Sequence, residues 1–296
     1  MGLHSETVNA KYTALEAEMR RRLWWSLVHL DNRVSEMSDF RCSVLAPTWD
    51  CKTPANIGDF DLRPEMKHTP PNQGNITEAI FSVVRSEIAD FTRYSSFWLD
   101  FTNPLLKSLA RPFPKLDSSD EDELGYVEKT IQDRYLKSCN PENPLHFMTI
   151  WMARGYIAKN RLLAHYARHA RASAKQSDAQ RDTALGYALT LFECDTLLLT
   201  SPLTKSFLWF TMTILQFPFQ AYIHVVQDLR RRPAGRLAEK GWKVMSDNYS
   251  ARFTNWLGNV NPLASIISKV VLQAWEARKS ALGIQDSGYV LLLIFV

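Results

Sequence analysis

Apolar residues recur at three- and four-residue steps along almost the whole chain, and no stretch alternates apolar with polar residues convincingly enough to read as a strand. That periodicity predicts an all-α fold: a single large multi-helix domain of about eight helices, with a long loop after the first helix. The first helix carries Leu15, Met19, Leu23, Leu27, Leu30, Val34 and Met37 on one stripe, expected to face the core. Thr13 and Glu16 form a capping box at its start, each side chain satisfying an orphan backbone donor. From Asp39 to Gly74 the period gives way to Pro, Asp and Asn. A loop of about 35 residues in a compact domain is either functional or laid over the core.

The remaining helices follow from start and stop signals. Asn75-x-x-Glu78 is a second capping box, opening a helix with Ile80, Val84, Ile88, Phe91, Trp98, Phe101 and Leu105 that ends at Arg111-Pro112-Phe113-Pro114. Asp120 and Glu123 start a third, with Leu124, Val127, Ile131 and Tyr135 on one face. Asn143-Pro144 supplies an N-cap and an N1 proline for a fourth, running through Trp151 towards His169. Further helices are expected over 178–199, 203–231, 235–257 and 262–282, with Gly283 as the last stop. The uncharged run Phe207–Gln227 is long enough to cross a bilayer, but its glutamines, Pro218 and His224 favour a buried central helix kinked at Pro218. The apolar end Tyr289–Val296 is too short to span.

A search for chemistry returns few candidates. Thirty-five basic against 31 acidic residues leave a net charge of +4, too small an excess for a dedicated nucleic-acid clamp. Cys42, Cys51, Cys139 and Cys194 form no C-x-x-C pair and no disulfide framework, and the N-terminus has no secretory pattern, which points to a reducing, intracellular setting. Phosphate-binding, dinucleotide-binding, nucleophile-elbow and zinc-protease motifs do not occur. His165 and His169 share a helical face, but Arg161, Arg168 and Arg171 around them oppose a cation. The acidic run from Asp117 to Glu123 has no second cluster to face across a Mg²⁺ ion and reads as helix-dipole complement. Arg20-Arg21-Arg22 cannot form one groove-reading face, because consecutive helical residues point about 100° apart. Carboxylates such as Glu16 or Glu18 are their expected partners, while Arg230-Arg231-Arg232 suits a helix C-terminus before Pro233. No catalytic, cofactor-binding or metal-binding residue is assigned.

One ordered series of motifs is more specific. Glu18-Met19-Arg20-Arg21-Arg22-Leu23-Trp24-Trp25, followed by Asp31-x-Arg33-x-Ser35-Glu36, resembles the hallmark of the fungal-specific transcription factor domain, the middle homology region of zinc binuclear cluster regulators. Pro54-x-Asn56-Ile57-x-Asp59-x-Asp61-Leu62-x-Pro64 is similar to that family's loop, and Thr77-Glu78 with Arg85-x-Glu87-Ile88 to the opening of its next helix. Arg232-Pro233-x-Gly235, Ala238 and Trp242 are similar to its later helix junction. The resemblance covers residues 1–260, leaving 261–296 as a C-terminal helix and apolar tail. Where the family places a Gly-Arg-Pro-like turn after Ser-Glu, this chain reads Ser38-Asp39-Phe40-Arg41-Cys42.

The resemblance implies a nuclear regulator of fungal transcription, controlling a metabolic or secondary-metabolite pathway and not an enzyme. It implies no cofactor in this chain, zinc entering only with an upstream six-cysteine module. Expected partners are other proteins or a second copy, a small-molecule effector, DNA only through a missing upstream module or a partner, and no membrane. The motif residues are expected to build the core, with Trp24 and Trp25 as anchors and Glu18 bridging Arg20–Arg22. Were upstream helices to cover the domain, an apolar face near Leu3, Trp24 and Trp25 would lie exposed. The alternative is an all-helical enzyme or partner-binding protein on the same scaffold.

Overall fold

The computed structural model describes residues 2–38, 48–70, 76–112, 123–170, 176–213, 216–253 and 262–283. Among these residues there are eleven α-helices and no strand, so the all-α reading holds. They are α1 (Glu6–Asn9), α2 (Ala14–Met37), α3 (Ile80–Tyr94), α4 (Ser96–Thr102), α5 (Glu123–Arg134), α6 (Pro144–Ala170), α7 (Asp178–Thr200), α8 (Leu208–Thr211), α9 (Phe219–Arg231), α10 (Arg236–Phe253) and α11 (Pro262–Leu282). Three of them are one or two turns long, which leaves the expected eight substantial helices. The chain falls into two compact units, 1–153 and 154–296.

The first unit is built around α2 and α3. Thr13 caps α2 as expected: its hydroxyl accepts the Glu16 N–H at 3.3 Å and the Glu16 carboxylate accepts the Thr13 N–H at 3.1 Å. Ile80, Val83, Val84, Ile88 and Phe91 of α3 are buried, as are Leu124, Val127 and Ile131 of α5. Residues 48–62 lie over the core, burying Trp49, Cys51, Ile57 and Leu62. The second capping box differs from expectation. Asn75 lies outside the described residues, and Glu78 instead accepts the Asp59 N–H at 2.6 Å. The expected single helix to Leu105 is broken at Ser95, whose extended backbone (φ −76°, ψ 142°) separates α3 from α4. Asn143 caps α6, its Oδ1 accepting the N–H groups of Leu145 and His146.

In the second unit α7, α9, α10 and α11 share one core, with Leu185, Leu189, Phe192, Val225, Leu229, Met245, Val271 and Ala274 almost fully buried. Gly241 permits the close approach of α10 to α9, since a Cβ there would meet the Leu229 side chain at 3.3 Å. The uncharged run 207–227 is not one kinked helix. It contains the short α8 and then α9, with Pro218 at the N-cap of α9, where its missing N–H costs nothing. No helix among the described residues is long and apolar enough to cross a membrane. Gly283, at φ +62°, ends α11 in the left-handed conformation its lack of Cβ allows. The acidic run 117–122, Cys42, Arg171 and the apolar end 289–296 lie outside the described residues.

Candidate functional site

The hallmark motif lies on α2, and its polar residues clamp that helix to the segment 50–62. Glu18 is fully buried. Its Oε1 accepts the Ala55 N–H at 3.1 Å and the Arg22 Nε at 3.3 Å, while Arg21 Nη1 lies 3.5 Å from Oε2. Burial pushes the Glu18 carboxyl above the usual range, against the opposing pull of Arg22, Arg21 and the Ala55 amide. Arg22 continues to Asp59 Oδ1 at 2.6 Å and to the Ile57 carbonyl. Arg21 pairs bidentately with Glu6, whose carboxylate also accepts the Lys52 N–H. Arg20 departs from the expected bridge with Glu18: its Nε donates to Asn9 Oδ1 at 2.9 Å, and its guanidinium stacks on Tyr12 at 4.2 Å. The three arginines fan out from the helix because of the 100° step, so Arg20 and Arg21 reach opposite ends of α1 and Arg22 reaches the segment 57–59.

The tryptophans anchor the other side. Trp25 is 1% exposed and donates its indole N–H to the Lys52 carbonyl at 2.8 Å. Trp49 meets both Trp24 and Trp25 edge-on, with centroids 5.2 and 5.3 Å away. Arg93 of α3 lies 3.5 Å above the Trp49 ring and is held there by Asp90. A buried guanidinium on an aromatic face keeps its charge solvated by π density and a carboxylate.

The rest of the motif divides. Arg33 is buried and paired with Glu36, Ser35 is fully buried, and Asp31 is partly exposed. Asn56 Oδ1 accepts both the N–H and the hydroxyl of Thr77, tying the loop to the start of α3. Leu62 packs with Ala14 and Ile57, whereas Asp61 and Pro64 are exposed. Leu23, in the middle of the motif, is 52% exposed.

That last value belongs to a general reversal. Leu15 packs against the Ala14–Ile57–Leu62 cluster, but the rest of the stripe expected in the core faces outward: Met19, Leu27, Leu30, Val34 and Met37 are 39–44% exposed, while Ala14, Ala17, Glu18, Trp24, Trp25 and Val28 are buried. Helix α2 has two apolar arcs, and the one carrying the indoles buries more surface per residue, so it takes the core. The face expected to be exposed at Trp24 and Trp25 is therefore covered, and Leu3 packs against it.

In the second unit a buried polar network, invisible as a motif, locks three helices. Arg252 of α10 pairs bidentately with Asp195 of α7, and Asn248 Nδ2 reaches the same carboxylate at 2.7 Å. Tyr222 of α9 donates its hydroxyl to Asn248 Oδ1 at 3.0 Å. Arg232 pairs with Asp228 and Asp182 at the C-terminal end of α9, as the helix-end reading of that triplet predicts. His165 and His169 lie with ring centroids 4.2 Å apart, and His224 Nδ1 meets the Tyr166 hydroxyl at 2.9 Å. Burial lowers both His165 and His224 to about 4, with neighbouring imidazoles and arginines adding to the effect. Among the described residues no group of three His, Cys, Asp or Glu side chains is placed to hold a metal ion. Burial likewise raises the Cys51 and Cys194 thiols to about 12, so neither is a thiolate nucleophile near neutral pH. The motif's arginines are engaged within the fold, by Glu18, Asp59 and Glu36 of the motif and by Glu6 and Asn9 of α1. What they do there is join segments.

No family model matches the chain, and no solved structure matches it. Curated relatives do, among them the following. The chain is 48% identical over 279 residues to the transcriptional regulator AacuB of Aspergillus aculeatus, covering 94% of this chain and 37% of the relative. It is 46% identical over 282 residues to the transcriptional regulator nsrM of Aspergillus novofumigatus, again 94% and 37%. The aurofusarin cluster transcription factor aurR2 of Gibberella zeae is 27% identical over 280 residues, 94% of this chain and 40% of that one. Nearly all of this chain is thus similar to fungal transcriptional regulators, and it spans well under half of their length.

Proposed function

We propose that this chain is the helical regulatory part of a fungal transcription regulator that controls a biosynthetic gene cluster and acts in the nucleus. The observation that carries the proposal is the 48% identity to a transcriptional regulator across 94% of the chain. The regulatory region comprises residues 1–260, with 261–296 following it. In this reading the role is not enzymatic. The hallmark residues hold the scaffold, and regulation is exerted through contacts with other proteins or a small-molecule effector, DNA being read by a separate module or partner. The internal use of Glu18, Arg21 and Arg22 supports this, since side chains engaged within the chain leave no basic face from Arg20–Arg22 for a nucleic-acid backbone.

The test is a chimera. The matched region of AacuB is replaced in A. aculeatus by this chain, and transcripts are compared with those of the parent strain and of a strain lacking the regulator. The expected result is that the chimera restores the transcript pattern of the parent. A chimera that accumulates to the parental protein level yet reproduces the deletion pattern overturns the proposal.

A further inference from the structure

Helices α6 and α9 run in the same direction: the Tyr156 hydroxyl meets Gln216 just ahead of α9, and further along the Tyr166 hydroxyl meets His224. Helix α7 runs against them, since Asp182 near its start pairs with Arg232 just past the end of α9. The C-terminal ends of α6 and α9 therefore gather with the starts of α7 and α10. Positive charge is concentrated on this part of the fold. Helix α6 carries Arg154, Lys159, Arg161 and Arg168 and no carboxylate, as much positive charge as the net +4 of the whole chain. The carboxylates of the gathered end, Asp178, Asp182, Asp228 and Glu239, each already hold an arginine: Arg181 for the first, Arg232 for the next two and Arg278 for the last. Arg168, Arg230, Arg231 and Arg236 remain exposed, and none of them pairs with a carboxylate among the described residues. Two helix C-termini offer about half a negative charge each, which leaves most of these four charges unmatched.

We propose that this end of the fold docks an acidic segment of another protein, its carboxylates against Arg168, Arg230, Arg231 and Arg236 and an apolar side chain against Ile223. Ile223, Gln227 and Arg230 follow one another at steps of four and three residues on the exposed face of α9, and Ile223 is 55% exposed. The apolar side chain thus lies about 10 Å along the helix from the charged end. Guanidiniums hold carboxylates bidentately and set register and partner, while an apolar anchor beside them excludes water from the contact. A nucleic-acid backbone fits this end worse. A duplex presents a charge about every 1.7 Å of its axis, and the exposed carboxylates of Asp178, Asp182 and Glu239 at the same end repel so dense a ladder. A peptide carries its few carboxylates at separate positions and avoids them. Taking the partner from among other proteins rests on the regulator reading above; the charge pattern stands on its own.

Fluorescence anisotropy on the full chain tests it. The probe is a labelled synthetic peptide with leucines in its first half and glutamates in its second, measured beside its glutamine counterpart and a labelled DNA duplex of arbitrary sequence. The parent is expected to bind the glutamate peptide with a Kd of about 10–100 µM, weakened about tenfold by raising salt from about 0.05 to 0.5 M, and to leave the glutamine peptide unbound. Arg230→Gln combined with Arg231→Gln should weaken binding about tenfold and Ile223→Ser about threefold, both with unchanged far-UV circular dichroism. Arg63→Gln, which removes an exposed arginine of the first unit, should bind as the parent does. If the double variant does not fold, Arg236→Gln gives the milder reading, with binding about threefold weaker. Peptide binding that persists where the AacuB chimera fails supports the face and counts against the regulator reading alone. A parent that does not bind the glutamate peptide, an Arg63→Gln loss equal to that of the double variant, or a duplex held more tightly than the peptide at the same salt overturns the proposal.

Discussion

Glu18 accepts the backbone N–H of Ala55 at 3.1 Å, joining the second turn of α2 to a loop 37 residues away. With Arg21 and Arg22 on the same carboxylate, it sets the rotation of α2 about its own axis. Glu18→Ala leaves two partly buried guanidiniums without their carboxylate and the Ala55 amide without its acceptor. Breaking such a pair costs about 3 kcal/mol. Urea unfolding should show that loss, whereas Glu18→Gln, which still accepts from Ala55, should lose clearly less. Equal losses from the two substitutions would deny the amide contact its role.

Trp25 fills the interior of the same junction, and its indole N–H satisfies the Lys52 carbonyl. Trp25→Phe keeps most of the ring packing but strands that carbonyl, at about 1–2 kcal/mol. Trp25→Ala adds a cavity beside Trp49 and should cost about 3–5 kcal/mol. Both are read as shifts in the urea midpoint at constant slope. A Trp25→Ala variant as stable as Trp25→Phe would contradict the edge-on packing against Trp49.

How much of this was legible in the sequence depends on distance along the chain. The helical class, the Thr13–Glu16 cap, the Asn143–Pro144 start and the Gly283 stop are local signals, and each appears where its residues place it. The buried face of α2 is not local. Its Leu/Met arc has better helical spacing than its Trp arc, yet the choice is made by Trp49, Ala55 and Arg93, which lie far along the chain from Trp24 and Trp25. Helix breaks are silent in the sequence where side chains are helix-compatible but the backbone turns extended, as at Ser95, or where apolar composition hides the interruption before Pro218. The Asp195–Arg252 pair spans 57 residues and has no pattern that spacing could reveal.

That pair gives a third prediction. Asp195 is 8% and Arg252 5% exposed, and Asn248 and Gln216 complete their hydrogen bonds. Asp195→Asn leaves a buried guanidinium uncompensated, at about 3–5 kcal/mol, far more than an exposed ion pair is worth. Asp195→Leu with Arg252→Met removes both charges and should recover most of the stability lost in Asp195→Leu alone. A double variant no more stable than the single one would show that the pair does not stabilise the fold as a unit.

The buried imidazoles His165 and His224 are expected to weaken the fold in acid. His165 and His224 are lowered from 6.5 to about 4, first by burial and then by His169, His224 and Arg168 around the former and Arg231 and Arg232 around the latter. Between pH 6.5 and 4 the unfolded chain takes up protons that the folded chain refuses, so unfolding becomes more favourable as the pH falls. The contribution is complete above pH 6.5 and is lost progressively towards pH 4, on the order of 3 kcal/mol for His224 and less for the better-solvated His165. Their proximity makes the two losses less than additive. Thermal unfolding between pH 7.5 and 4 should show a falling midpoint, and His224→Gln should flatten that slope while the Tyr166 hydroxyl keeps a polar neighbour. A slope unchanged in His224→Gln would place the acid sensitivity elsewhere, in the Glu6 carboxylate, which, against the opposing effect of burial, Arg21 and the Lys52 amide hold below its usual range.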